Sequence, residues 1–123
     1  MRRHDLSALA RRHGLRAIIL FGSRARGDAQ AGSDCDICVS ARRLPIDEVR
    51  LINDLSRALS QDVDLSVLER VGPSLGWTVA TEGKLLWGSR EDWDRLRLRA
   101  IREWQDCEKW VAATRAYLER TLG

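Results

Sequence analysis

Phe21-Gly22-Ser23-Arg24-Ala25-Arg26-Gly27-Asp28-Ala29-Gln30-Ala31-Gly32-Ser33-Asp34-Cys35-Asp36-Ile37 is the stretch on which the fold turns. Just before its first glycine, Ala17-Ile18-Ile19-Leu20-Phe21 is an apolar run of strand length, which predicts a buried strand from Arg16 to Phe21. Gly22 stops that strand, and a glycine lets backbone come close to a phosphate. If Ser23 opens a short helix over Arg24 to Arg26, its hydroxyl and the free N–H groups of the first turn make an anion site, with the charge of Arg26 beside it. Beyond the turn-rich segment Gly27 to Ser33, the run Asp34-Cys35-Asp36-Ile37-Cys38-Val39 has β character. Alternate residues of a strand share a face, so Asp34 and Asp36 point the same way.

Two carboxylates on one face repel each other unless a cation lies between them, and hard oxygen ligands suit Mg2+ shared with substrate phosphates. A third acid is available in Gln61-Asp62-Val63-Asp64-Leu65-Ser66-Val67, where Val63, Leu65 and Val67 take one face and Asp62, Asp64 and Ser66 the other. Asp64 is read as joining the pair from a neighbouring strand, with Asp62 its nearest competitor. Three acids with one or two Mg2+ ions would lower the pKa of an attacking hydroxyl and neutralise a transferring phosphoryl group, the two-metal logic of nucleotidyl transfer.

Gly22-Ser23, ten residues, Asp34-x-Asp36 and a later Asp64 resemble the nucleotidyltransferase superfamily that includes polymerase beta and kanamycin nucleotidyltransferase. The longer string from Gly22 to Ile37 is similar to the minimal, MNT-type branch, small enzymes that often serve as antitoxins beside HEPN-type ribonuclease toxins. The likeness spans about Arg16 to Trp87. It implies that Gly22 and Ser23 form the triphosphate-binding turn, with Arg26 a phosphate contact; Ser33, from its place just before the aspartates, is a further candidate nucleotide contact. It also implies that Asp34, Asp36 and Asp64 are the catalytic metal ligands. The implied reaction moves AMP from ATP to a hydroxyl, in this branch a tyrosine of the HEPN toxin. Cys35 departs from the usual aliphatic residue between the aspartates, but a buried cysteine is itself a small hydrophobe.

Each feature has a plainer reading. Gly-Ser after a strand is commonly only a turn, and Asp-x-Asp only a solvated strand edge. Their joint order and separation favour the site. Arg24 reads as an exposed helix charge, and Ser33 first as a local cap of the turn. Cys35-x-x-Cys38 fits a metal or redox spacing, yet residues three apart on a strand face opposite sides, so neither follows.

A length of 123 residues suits one minimal domain, with a core of about 14–90 and a C-terminal helix of about 91–122. An odd number of cysteines, three, argues against a disulfide framework. The start of the chain lacks the apolar core of a secretory signal, and no stretch reaches membrane-span length, so the expected compartment is the cytoplasm. The formal charge of +3 does not choose between nucleotide, nucleic acid and an acidic protein. Arg95, Arg97, Arg99 and Arg102 would wrap round a helix rather than form one stripe.

Elsewhere, Leu6 to His13 predicts a short helix buried through Leu6, Leu9 and Ala10, with Ser7 near its start. Pro45 to Leu59 predicts an amphipathic helix started by Pro45 and buried through Ile46, Val49, Ile52, Leu55 and Leu59. Ser74 is expected to cap a helix ending near Thr81, and Lys84 to Trp87 to form a last strand. Glu91 to Leu122 is free of Gly and Pro and reads as one helix longer than a small sheet can cover. All five tryptophans follow the acidic segment; core burial is expected for most, and any left exposed would mark an interface. The expected fold is α/β: a small mixed sheet with flanking helices and a long C-terminal helix. The expected partner is a HEPN-type toxin. The alternatives are a non-catalytic antitoxin that blocks its toxin by binding, and a small-molecule nucleotidyltransferase.

Overall fold

Antiparallel pairing of Leu15–Phe21 (β1) with Cys35–Ala41 (β2) sets Leu20 opposite Ile37 and Phe21 opposite Asp36. Lys84–Gly88 (β4) pairs antiparallel with the other edge of β1, while Val63–Val67 (β3) pairs parallel with β2, so the mixed sheet runs β3-β2-β1-β4. The helices are α1 (Arg3–His13), α2 (Gly22–Arg26), α3 (Glu48–Leu59), α4 (Pro73–Glu82) and α5 (Arg90–Leu122). The computed structural model describes residues 3–30 and 32–122. Met1 and Arg2, Ala31 in the turn-rich segment and Gly123 lie outside the described residues.

Period-two alternation divides the core. Leu15, Ile18, Cys35, Ile37, Val39 and Val67 face one way and are covered by Leu6, Leu9 and Ala10 of α1 and by Leu51 and Leu55 of α3. Ala17, Ile19, Phe21 and Cys38 face the other way, under Val79 of α4 and Trp93 of α5. Cys35 and Cys38 therefore sit in opposite layers, as their spacing on a strand requires. Burial pushes the Cys38 thiol up to about 12, which leaves it an inert core group.

Four local expectations need correction. The first helix begins at Arg3, which puts Ser7 inside it. The third begins at Glu48, not Pro45: Asp47 caps it by accepting from the Arg50 N–H at 3.1 Å. Its buried stripe is Leu51 and Leu55, while Val49 is 72% exposed. The fourth is entered through Gly72 with Pro73 at its first position, so Ser74 is already inside; its carbonyl accepts from the Thr78 hydroxyl, and the helix continues to Glu82.

The long helix keeps Trp93 and Ala100 buried and no residue beyond. Beyond Trp104, which still meets Trp77 of α4, the helix runs on through residues 105–122, about 27 Å at roughly 1.5 Å per residue. Its arginines do wrap round it: Arg95 pairs with Glu91, Arg97 lies over the Trp93 ring and donates to the Ala80 carbonyl, and Arg99 pairs with Glu103. The tryptophans divide, against the expectation that most are core. Trp93 is buried, Trp87 packs against the first core layer, Trp77 and Trp104 stack with centroids 6.2 Å apart, and Trp110 is 68% exposed.

Candidate active site

The helices of the second face leave one corner of the sheet bare. Val79 and Trp93 pack against β1 and Cys38, and the residues of β2 that share that face nearer its start are Asp36 and, just before the strand, Asp34. The parallel register then sets Asp64 directly beside Asp36. Asp62 falls before the first paired rung, where its carbonyl accepts from the Cys35 N–H at 2.9 Å. A strand start on each of two adjacent strands thus delivers a carboxylate to one open patch.

Gly22 closes the patch from the β1 side. Its φ of 73° lies in the left-handed region, and a Cβ there would run into Oδ2 of Asp36. Both facts demand glycine and both bring backbone against the carboxylate. Helix α2 follows at once, a single turn closed by Gly27, and the Ser23 carbonyl takes the Asp28 N–H at 3.0 Å. The Gly22–Ser23 turn and the acids are therefore neighbours.

Asp36 is only partly exposed, whereas Asp34 and Asp64 are exposed. Burial pushes the Asp36 carboxyl up, the Asp64 and Asp34 charges push it further, and Arg26 partly offsets them. The patch is short of positive charge. Among the described residues no closed cage of metal-ligating side chains exists. What the corner offers is an open, one-sided set of hard oxygen donors, which suits a cation that keeps other ligands from water or phosphate.

The two arginines of α2 are held in different ways. Arg26, at 46% side-chain exposure, is bound to Asp28 at 3.3 Å and to Glu82 at 3.4 Å, so two acids already hold its head. Arg24, read as a surface charge, donates through Nη2 to the Ser33 carbonyl at 2.7 Å and buries its Nε without a protein partner. It ties α2 to the residue before Asp34. Ser33 acts there through its backbone, which also bonds the Gln30 carbonyl at 3.1 Å, rather than as a side-chain cap. Only the length of the loop, nine residues from Arg24 to Ser33, hints at such a brace in the sequence.

The family described as polymerase beta, nucleotidyltransferase, matches residues 5–92, the sheet together with α1 to α4 and the start of α5. Protein adenylyltransferase MntA of Shewanella oneidensis is 36% identical over 94 residues, which cover 74% of this chain and 67% of that protein. A solved toxin–antitoxin complex with AMP-PNP contains a chain that superposes with a TM-score of 0.76 at 30% identity, covering 100% of both chains. A second, of tri-AMPylated Shewanella oneidensis HEPN toxin with its MNT antitoxin, gives a TM-score of 0.68 at 28% identity over 98% of this chain and 96% of that one. The last two likenesses include the long α5 as well as the sheet. With the glycine turn against Asp36, Asp64 in register beside it and a family match across most of its length, the chain belongs to the polymerase beta-type nucleotidyltransferases.

Proposed function

We propose that this protein is a Mg2+-dependent protein adenylyltransferase that transfers AMP from ATP to a tyrosine hydroxyl of a cognate HEPN-type ribonuclease toxin, and so acts as its antitoxin. The observation that carries the reading is the bare corner where Asp36 and Asp64 share a rung beside the Gly22–Ser23 turn. Asp34, Asp36 and Asp64 would hold one or two Mg2+ ions, and the raised Asp36 carboxyl is the mark of a site that gains from a cation. Bound there, Mg2+ supplies neutralisation of phosphate charge and a more acidic acceptor hydroxyl.

The chain's own residues do the rest. The Gly22–Ser23 turn receives the triphosphate, since no side chain at position 22 stands in the way. Arg26 supplies positive charge at its rim, exchanging a contact with Asp28 or Glu82 for a phosphate oxygen. Arg24 holds the loop that presents Asp34, so the first carboxylate does not drift. Asp64 accepts the acceptor's proton as its oxygen bonds the α-phosphorus. The bond from that phosphorus to the β-phosphate oxygen breaks, and pyrophosphate leaves.

We take residues 14–90 as the catalytic core of one minimal domain and the helix from 91 to 122 as the part that meets the toxin. We assign the protein to the cytoplasm, where ATP is at hand and cysteines stay reduced. Among the described residues, no helix is long and apolar enough to cross a membrane.

One observation favours a second reading, neutralisation by binding alone: Trp110, Val111 and Leu118 form an uncovered apolar shelf on the projecting helix. Intact mass spectrometry of a co-expressed HEPN partner, incubated with ATP and Mg2+, separates the two. Adenylylation predicts whole AMP units added by the wild type, lost with EDTA, and reduced by at least about 10³-fold in Asp34→Asn, Asp36→Asn. Neutralisation that survives in the double variant with no mass gain would establish binding alone.

A further inference from the structure

We infer that the end of the molecule opposite the aspartates is a second anion site, a cleft that binds the phosphate backbone of a single-stranded polynucleotide. The β1–β2 ladder has two poles. At one, Phe21 pairs with Asp36; at the other, Leu15 pairs with Ala41, about 17 Å away at the usual strand rise. The second pole is where the last turn of α1, the segment after β2 and the first turn of α3 meet, and the Arg42 N–H bonds the Gly14 carbonyl at 2.9 Å. Between them lies a concavity of about 440 Å³ lined by Arg11, Arg12, Arg42, Arg43 and Arg50.

The nearby acids are already used. Asp47 spends its carboxylate on the backbone of α3, and Asp54 takes Arg12 at 3.1 Å and His13 at 2.7 Å. Arg11, Arg42, Arg43 and Arg50 are exposed and have no ion pair among the described residues. Many other arginines of the protein are paired: Arg26, Arg70, Arg90, Arg95 and Arg99 each reach a carboxylate. Five arginines against Asp47 and Asp54 give the cleft an excess equal to the +3 of the whole chain.

Guanidinium groups present forked donors that match phosphate oxygens. No Phe, Tyr or Trp lines the cleft, and the His13 ring is nearly buried against Asp54, so recognition falls on the backbone without regard to sequence. The volume is that of a site for a drug-sized molecule, about a nucleotide, with the rim arginines left to hold the phosphates on either side. A free nucleotide would offer the same chemistry but fewer phosphate contacts than a strand.

Fluorescence anisotropy of a labelled single-stranded RNA of about 20 nucleotides, titrated with the full chain over a range of salt, tests this. The expected result is binding whose log K falls against log salt with a slope of roughly −3, as four phosphate contacts on a single strand would give. Unlabelled single-stranded DNA should compete, while ATP and inorganic phosphate should compete at least about 100-fold less well. Arg42→Ala, Arg43→Ala, Arg50→Ala should weaken binding at least about 30-fold and flatten the slope to roughly −1. Asp34→Asn, Asp36→Asn should leave it unchanged. Thermal melts check that the triple variant is folded, and Arg11→Ala, on a different helix, should weaken binding and lower the slope by about 0.7 in its own right. Binding retained by both arginine variants would overturn the proposal, as would equal competition by ATP, or no RNA binding with capture of a poly-glutamate peptide instead.

Discussion

On one face of the sheet, α1 and α3 lay Leu6, Leu9, Leu51 and Leu55 over the strands, and Cys35, Ile37 and Val39 of β2 are buried beneath them. On the other, Val79 and Trp93 cover β1 and the middle of β2, and the cover ends before Asp36 and Asp64. The same strands serve both purposes because their residues alternate: Cys35 and Ile37 anchor β2 to the closed layer while Asp34 and Asp36, between and before them, stand at the open one. A carboxylate can stay charged on a central strand only where helix cover is withdrawn. The closed face thus supplies rigidity, and the open corner supplies chemistry.

The comparison predicts that damage to the two faces will separate in its readouts. Leu51 is fully buried on the closed face, and Leu51→Ala removes most of a side chain from a packed layer, at a cost of about 2–5 kcal/mol. Urea denaturation should record that loss, and the folded fraction should keep its adenylylation rate. Val49→Ala, three-quarters exposed on the same helix at 72%, should stay within about 0.5 kcal/mol. A larger loss from Val49→Ala than from Leu51→Ala would mean that α3 packs by its other stripe.

Gly22→Ala is the opposite test, placed at the open corner. The backbone must hold a left-handed φ of 73° with a methyl group directed at Oδ2 of Asp36. Strain of this kind costs about 1–3 kcal/mol, less than the Leu51 cavity at its upper end. Displacing the carboxylate should nevertheless lower the adenylylation rate by about 10²-fold. Urea midpoints and single-turnover rates on the same preparations decide it. An active Gly22→Ala enzyme would show that Asp36 has room to move without penalty.

Much of this contrast could be read in the chain, and what could not has a physical cause. Asp34-x-Asp36 announced its face because a period of two fixes direction without any tertiary knowledge. The pairing that sets Asp64 rather than Asp62 beside Asp36 depends on register, which no residue of β3 encodes alone. Helix α3 carries two overlapping apolar sets, Val49 with Ile52 and Leu51 with Leu55, and only the neighbouring α1 and sheet decide which is buried. Pro45 looked like a helix start, but Asp47 offers the capping oxygen and so sets the boundary. The brace from Arg24 ends on a backbone carbonyl, to which sequence patterns are blind. The basic cleft is the same lesson at longer range: Arg11-Arg12 and Arg42-Arg43 are 30 residues apart and meet only because Leu15 pairs with Ala41.

The smallest effect should come from the clamp that joins the two helices of the closed face. His13 at the end of α1 shares a hydrogen bond of 2.7 Å with Asp54 of α3, and Arg12 reaches the same oxygen at 3.1 Å. The His13 hydrogen bond holds the Asp54 carboxyl below its ordinary 3.8, burial opposes it, and the Arg12 charge adds to the lowering. A carboxyl lowered in the folded state binds its proton less readily there than in the unfolded chain. Its contribution is therefore complete above the unfolded value and fades as the pH drops below 3.8 through the folded one. Asp54→Asn should cost roughly 1 kcal/mol or less at pH 7, because Arg12 is 59% exposed and its share is screened. The gap from wild type should close as urea denaturation is repeated toward pH 3, and high salt should remove only the Arg12 part. A gap that persists unchanged at pH 3 would mean that Asp54 joins the helices by packing rather than by charge, and that the closed face is held by its apolar layer alone.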